Sequence, residues 1–158
     1  MVLDASITLG WCFEDPATPL SRAVLEQLAY GRGLVPELWP FEVASVLAVA
    51  TRRGRITRAQ AVRFLQVLDR LPITVEALGR EQVFTTVLTL SEPSGLTLYD
   101  ASYLALAAYA GVPLATSDER LRKAGIAVGV ALFQPEGNPA ADPVLDDRRE
   151  RSGGAHQP

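Results

Sequence analysis

Short apolar runs bounded by proline, glycine or polar residues recur along this chain and alternate with helix-forming stretches. Val2-Leu3-Asp4-Ala5-Ser6 reads as a short buried strand that ends at an acid and is followed by a turn. Leu34-Val35-Pro36, Ile73-Thr74-Val75, Val112-Pro113-Leu114-Ala115-Thr116 and the run from Val128 to Phe133 supply four further strands. Between them, Ser21 caps a helix carrying Val24, Leu25 and Leu28, and Pro40 opens a helix from Trp39 to Ala50 that Gly54 stops. Thr57-Arg58-Ala59-Gln60 is a capping box leading into Val62, Leu65 and Leu68, and a further helix spans Gly79 to Leu90. Thr97 starts a helix that ends at Tyr109 before Gly111, and Ser117-Asp118 starts a short one closed by Gly125. Strands alternating with helices predict one parallel sheet with helices on both faces, an α/β fold.

Composition sets the limits of that fold. A chain of 158 residues, 48% hydrophobic and 21% charged, is long enough for one domain with a real core. Residues 1–134 carry all of the alternating pattern, while 135–158 turn to Pro, Gly, Asp and Arg and read as a disordered tail. Asp15-Pro16-Ala17-Thr18-Pro19 and Pro93-Ser94-Gly95 read as loops. No apolar run has the roughly 18 residues of a membrane span. The start lacks a basic n-region, and the single Cys12, between Trp11 and Phe13, reads as packing; both point to a cytoplasmic protein without disulfides.

The absences narrow the chemistry. The only histidine, His156, lies in the tail, which removes Ser-His-Asp and Cys-His nucleophile systems and nearly every zinc site. There is no phosphate-binding glycine loop of either common type. A net charge of −3 gives no global attraction to nucleic acid, although 14 of the 15 basic residues are arginines, whose guanidinium forks suit phosphate. What remains is carboxylate chemistry.

Four acids stand in apolar settings. Asp4 ends the first strand, Glu42 is the sole acid of the apolar Trp39–Ala50 helix, Asp100 lies in the first turn of Leu98-Tyr99-Asp100-Ala101-Ser102-Tyr103-Leu104-Ala105, and Asp118 follows the fourth strand. Each alone has an ordinary explanation as a cap or a helix-dipole acid. Glu42 resists it most, because a helix apolar all round is buried on most sides and an unpaired buried carboxylate is costly. Asp4 and Asp118 fall at the carboxyl edge of the sheet, where parallel sheets bind ligands. Clustered carboxylates repel unless a cation neutralises them, and an all-oxygen donor set selects Mg²⁺ or Mn²⁺. A phosphodiester hydrolase is the natural reading of such a site.

Four segments carry a resemblance. Val2-Leu3-Asp4-Ala5-Ser6, Leu38-Trp39-Pro40-Phe41-Glu42-Val43, Leu96-Thr97-Leu98-Tyr99-Asp100-Ala101 and Leu114-Ala115-Thr116-Ser117-Asp118 resemble, in order and at similar spacing, the motifs of PIN-domain ribonucleases. Within that family the chain is most similar to VapC toxins of bacterial toxin–antitoxin pairs. The resemblance implies a three-layer α/β/α fold with a five-stranded parallel sheet in order 3-2-1-4-5. It also implies Asp4, Glu42, Asp100 and Asp118 as the acidic quartet around Mg²⁺ or Mn²⁺, with Ser6 and Thr116 in support. RNA is the implied substrate, and a VapB-type antitoxin and a second copy of the chain are the implied partners. Arg120, Arg122 and Lys123 follow Asp118 and are candidates for the RNA backbone; Arg52, Arg53, Arg55 and Arg58 form a second basic cluster. Tyr99, Tyr103 and Leu104 are expected to anchor the Asp100 helix by packing.

The alternatives are a housekeeping PIN nuclease without an antitoxin, a PIN module that only binds, and a haloacid-dehalogenase-like phosphohydrolase. For the last, Asp4-Ala5-Ser6-Ile7-Thr8 is similar to a D-x-D-x-T nucleophile motif, but Ser6 replaces the second acid and Glu42 has no place in that scheme.

Overall fold

The computed structural model describes residues 1–13, 17–90 and 95–135. Four parallel strands form one sheet in the order β3-β2-β1-β4: β1 (Val2–Leu3), β2 (Gly33–Pro36), β3 (Ile73–Glu76) and β4 (Leu114–Ala115). Val2 pairs with Leu34 on one side and Leu114 on the other, so β1 is the central strand of this sheet. The fifth expected strand is reduced to a single parallel bridge, Leu132 to Leu114, on the outer side of β4. The order is therefore the expected one, with the last strand contracted. A glycine at position 129 with φ 76° turns the chain just before this bridge, leaving only a few residues to pair.

Seven helices flank the sheet among the described residues. They are α1 (Ala5–Phe13), α2 (Pro19–Leu28), α3 (Trp39–Arg52), α4 (Arg58–Leu68), α5 (Arg80–Gln82, continuing as a π-helical turn over Val83–Val87), α6 (Leu98–Ala110) and α7 (Glu119–Ala127). The capping box at Thr57 and Gln60 forms in both directions. Gly111, at φ 64°, ends α6 in the left-handed conformation that suits glycine at this position.

Several details differ from the sequence reading. The first strand stops at Leu3, and Ala5 begins a nine-residue helix where a turn was expected. Helix α2 is capped by Thr18, which accepts from the Ser21 N–H, while Ser21 itself is buried inside the helix. Gly125 does not close α7; it lies within the helix, where a Cβ would crowd Leu132 and Leu104. Helix α3 is not buried on most sides: Trp39, Val43, Leu47 and Ala50 form its inner stripe, and Phe41 and Val46 face outward. The expected loop at 15–16, the break at 93–94 and the tail over 136–158 lie outside the described residues.

The core centres on β1, whose Val2 and Leu3 are fully buried with Val24, Val35, Val43, Leu104, Leu114 and Leu121. Cys12 packs against this core as expected, and its thiol is raised by burial. Helix α6 packs on β1, β2 and β4. No helix among the described residues is long and apolar enough to cross a membrane.

Candidate active site

The chain leaves β1 toward β2 and β3 on one side and reaches β4 on the other, so the strand order reverses between β1 and β4. Asp4 immediately follows β1 at this point. Its backbone N–H donates to the Ala115 carbonyl at 3.0 Å, which locks the acid against the end of β4. The carboxylate is buried, 6% exposed. Two hydroxyls donate to the same oxygen, Oδ2: Ser6 from the first turn of α1, and Thr116 at 2.7 Å from the residue after β4. Those hydroxyls are themselves acceptors. Ser6 Oγ takes the Ser117 N–H at 3.1 Å, and Thr116 Oγ1 takes the Asp118 N–H at 3.0 Å. The β1–α1 corner and the turn after β4 are thereby joined through one buried carboxylate.

Glu42 lies in the first turn of α3, half-buried. Its Oε2 accepts a short hydrogen bond from the phenol of Tyr103, a fully buried residue of α6. Asp100 lies one turn earlier on α6. The Thr97 hydroxyl caps that helix by accepting the Asp100 N–H at 3.1 Å and donates to Asp100 Oδ2 at 2.8 Å. Asp118 is exposed and serves as the N-cap of α7: its Oδ1 accepts from the backbone N–H groups of Arg120 at 2.7 Å and Leu121 at 3.1 Å.

Electrostatics links three of the four acids. Burial raises the Asp4 carboxyl above its usual range; the hydrogen bonds from Ser6 and Thr116 pull it back, and the charge of Asp100 adds to the rise. Burial also raises Glu42, opposed by the Tyr103 hydrogen bond and reinforced by the charges of Asp4 and Asp100. Desolvation and the bond to Glu42 push the Tyr103 phenol well above the ordinary tyrosine range, so it is a permanent donor. Among the described residues, no three His, Cys, Asp or Glu side chains converge closely enough, as placed, to hold a metal ion together. Asp4, Glu42 and Asp100 feel one another's charge without meeting. The donor set nevertheless fits a hard divalent cation in kind: oxygen ligands only, mutually repelling and partly desolvated.

The basic candidates occupy simpler positions. Arg122 and Lys123 each lie 3.7 Å from Glu119 on the same helix, pairs that are worth little on a surface. Arg120 is exposed. Arg52 and Arg53 are exposed at the far end of α3 and Arg58 at the start of α4, and the Arg55 guanidinium stacks on the Phe13 ring at 5.1 Å. Tyr99, expected to pack, is 61% exposed, while Tyr103 and Leu104 are buried as expected. Sequence reasoning missed the role of Tyr103 as a hydrogen-bond donor. Its spacing of three from Asp100 puts both on one helix face, which was the available signal.

A short parallel α/β sheet with a buried acid at its switch point, and further acids delivered by the flanking helices, defines a class. The sequence profile of the PIN domain matches residues 1–127, and the chain belongs to the PIN-domain family. Ribonuclease VapC9 of Mycobacterium tuberculosis is 33% identical over 126 residues, covering 79% of this chain and 91% of that protein. The VapC ribonuclease Mb0985 of Mycobacterium bovis matches to the same extent, 33% over 126 residues. In fold, the crystal structure of PAE2754 from Pyrobaculum aerophilum is similar with a TM-score of 0.57, at 24% identity over 78% of this chain and 82% of that one. The resemblance read from the four motifs is thus met.

Proposed function

We propose that this protein is a divalent-metal-dependent endoribonuclease, the toxin of a VapBC-type toxin–antitoxin pair. Its similarity to VapC ribonucleases supports the substrate class. The observation that carries the reading is Asp4: a buried carboxylate at the β1–β4 switch point, pinned by two hydroxyls and exposed to the repulsion of Asp100. An acid in that setting destabilises the fold unless a cation relieves it, so its placement answers a functional demand.

In this reading Asp4, Glu42, Asp100 and Asp118 hold Mg²⁺ or Mn²⁺. When bound, the metal supplies a water of lowered pKa and charge stabilisation for the phosphodiester. Ser6 and Thr116 orient Asp4 by fixing Oδ2. Glu42 and Asp100 bring acid groups to the site from two different helices, and the charge of Asp100 bears on Glu42. Arg120, Arg122 and Lys123, on the helix that Asp118 caps, contact backbone phosphates near the last acid in this reading. The partners this reading implies are an antitoxin segment and a second copy of the chain. Beside the acids lies an apolar groove of about 520 Å³ lined by residues including Leu78, Phe84, Val87, Leu98 and Tyr99, a surface open to either.

The test is cleavage of RNA by the purified protein with Mg²⁺ or Mn²⁺ and with chelator. Wild type cleaves only with metal, and Asp4→Asn and Asp100→Asn lose cleavage while circular dichroism stays native. Unchanged cleavage by Asp100→Asn would overturn the mechanism. Neutralisation by the product of the adjacent reading frame supports the toxin assignment; a chain with no such partner is a housekeeping PIN nuclease.

A further inference from the structure

We infer that Tyr103 is a positioning residue of the acidic site, holding Glu42 in register with Asp100 and Asp4; this rests on the metal-dependent reading above. The phenol joins two helices, α6 and α3. It belongs to α6, three residues after Asp100, so both side chains rise from one face of the same helix. Its hydroxyl donates to Oε2 of Glu42 on α3, 61 residues away in sequence. The charge of Asp4, which directly precedes Ala5 of α1, also bears on the phenol. One hydroxyl therefore ties the helix of Asp100 to Glu42, within the field of Asp4.

The ring is fully buried while its hydroxyl points at a half-buried carboxylate. A buried ring cannot swing, so the bond removes rotamer freedom from a Glu that otherwise has three rotatable torsions near solvent. Engaging Oε2 leaves Oε1 as the Glu42 oxygen not held by Tyr103. This is the arrangement by which outer partners orient a carboxylate ligand and set its affinity. A phenylalanine at the same position fills the same core volume and lacks only the donor.

The experiment is Mn²⁺ binding by calorimetry, alongside RNA cleavage, for wild type, Tyr103→Phe, Glu42→Ala and the double variant. Tyr103→Phe is expected to weaken Mn²⁺ binding about 10–100-fold with an unchanged circular dichroism spectrum. In the Glu42→Ala background the same substitution changes affinity less than twofold, because its route of action has been removed. Equal Mn²⁺ affinity of wild type and Tyr103→Phe, or a full second loss in the Glu42→Ala background, overturns the role of Tyr103 and leaves the nuclease reading intact. A wild type that neither binds Mn²⁺ nor cuts RNA overturns both. Should Tyr103→Phe fail to fold, wild type labelled with ¹³C at tyrosine Cζ reports directly. There are four tyrosines, and Tyr30, Tyr99 and Tyr109 are exposed and assignable by substitution with Phe. Saturating Mg²⁺ is expected to shift the Tyr103 resonance, and an unmoved resonance in a protein that binds Mg²⁺ overturns the proposal.

Discussion

Thr116 donates its hydroxyl to Asp4 Oδ2 at 2.7 Å across 112 positions of sequence, and the same oxygen atom of Thr116 accepts the Asp118 N–H. One side chain thus holds the first acid and sets the backbone path to the last. Thr116→Val keeps the shape and removes both bonds. It leaves a buried carboxylate short of a donor and a backbone N–H without its acceptor, so the expected loss is about 1–3 kcal/mol in urea unfolding. Because the Asp118 turn loosens with it, RNA cleavage is expected to fall further than stability alone explains.

Asp4 gives the metal-free protein a defined pH dependence. Its folded pKa is raised by burial, so between the unfolded and folded values the native state binds more protons than the unfolded chain. The stability this contributes is fully present below the ordinary carboxylate pKa and is lost as pH rises through the raised folded value. Thermal melts in chelator, compared between wild type and Asp4→Asn, isolate the effect. The wild-type Tm falls relative to the variant from mildly acidic toward neutral pH, and Asp4→Asn is the more stable of the two at neutrality while inactive.

Divalent metal is expected to reverse that deficit. A ligand that binds only the folded state at 100 times its Kd adds about 2.7 kcal/mol. Adding Mn²⁺ at neutral pH therefore raises the wild-type Tm, and the increase is absent in Asp4→Asn. An equal increase in both proteins would place the ion elsewhere.

Asp118 has two separable duties. As the N-cap of α7 it accepts two backbone N–H groups, and asparagine caps almost as well as aspartate. Asp118→Asn is expected to change stability by less than about 0.5 kcal/mol and to lose cleavage, whereas Asp118→Ala loses cleavage and about 1 kcal/mol as well. Full activity in Asp118→Asn would reduce this residue to a cap.

Much of the fold was legible along the chain. The strands announced themselves because each is a short apolar run cut off by proline, glycine or a polar residue, and α4 because Thr57 and Gln60 form a local box. Helix α1 escaped because Ala5–Phe13 scatters Ser6, Thr8 and Gly10 among apolar residues and carries no amphipathic stripe to mark a helical period. The outward face of α3 escaped for the converse reason: an apolar side chain such as Phe41, 78% exposed, looks the same in sequence whether or not anything covers it. Asp118 was legible as an acid at a helix start, and the tertiary structure added that Thr116 Oγ1 holds its backbone N–H.

By itself the sequence determined the alternation of strand and helix, the four acids and the absence of histidine or cysteine chemistry in residues 1–134, since all of these are properties of residue type and local spacing. Tertiary structure alone decided which atoms serve those acids: Thr116 and Ser6 on one oxygen of Asp4, and Tyr103 on one oxygen of Glu42. A hydrogen bond needs its partners within about 3 Å and aligned. Contacts across 61 and 112 residues reach that distance only after the parallel sheet has brought β1 beside β4 and laid α6 across them.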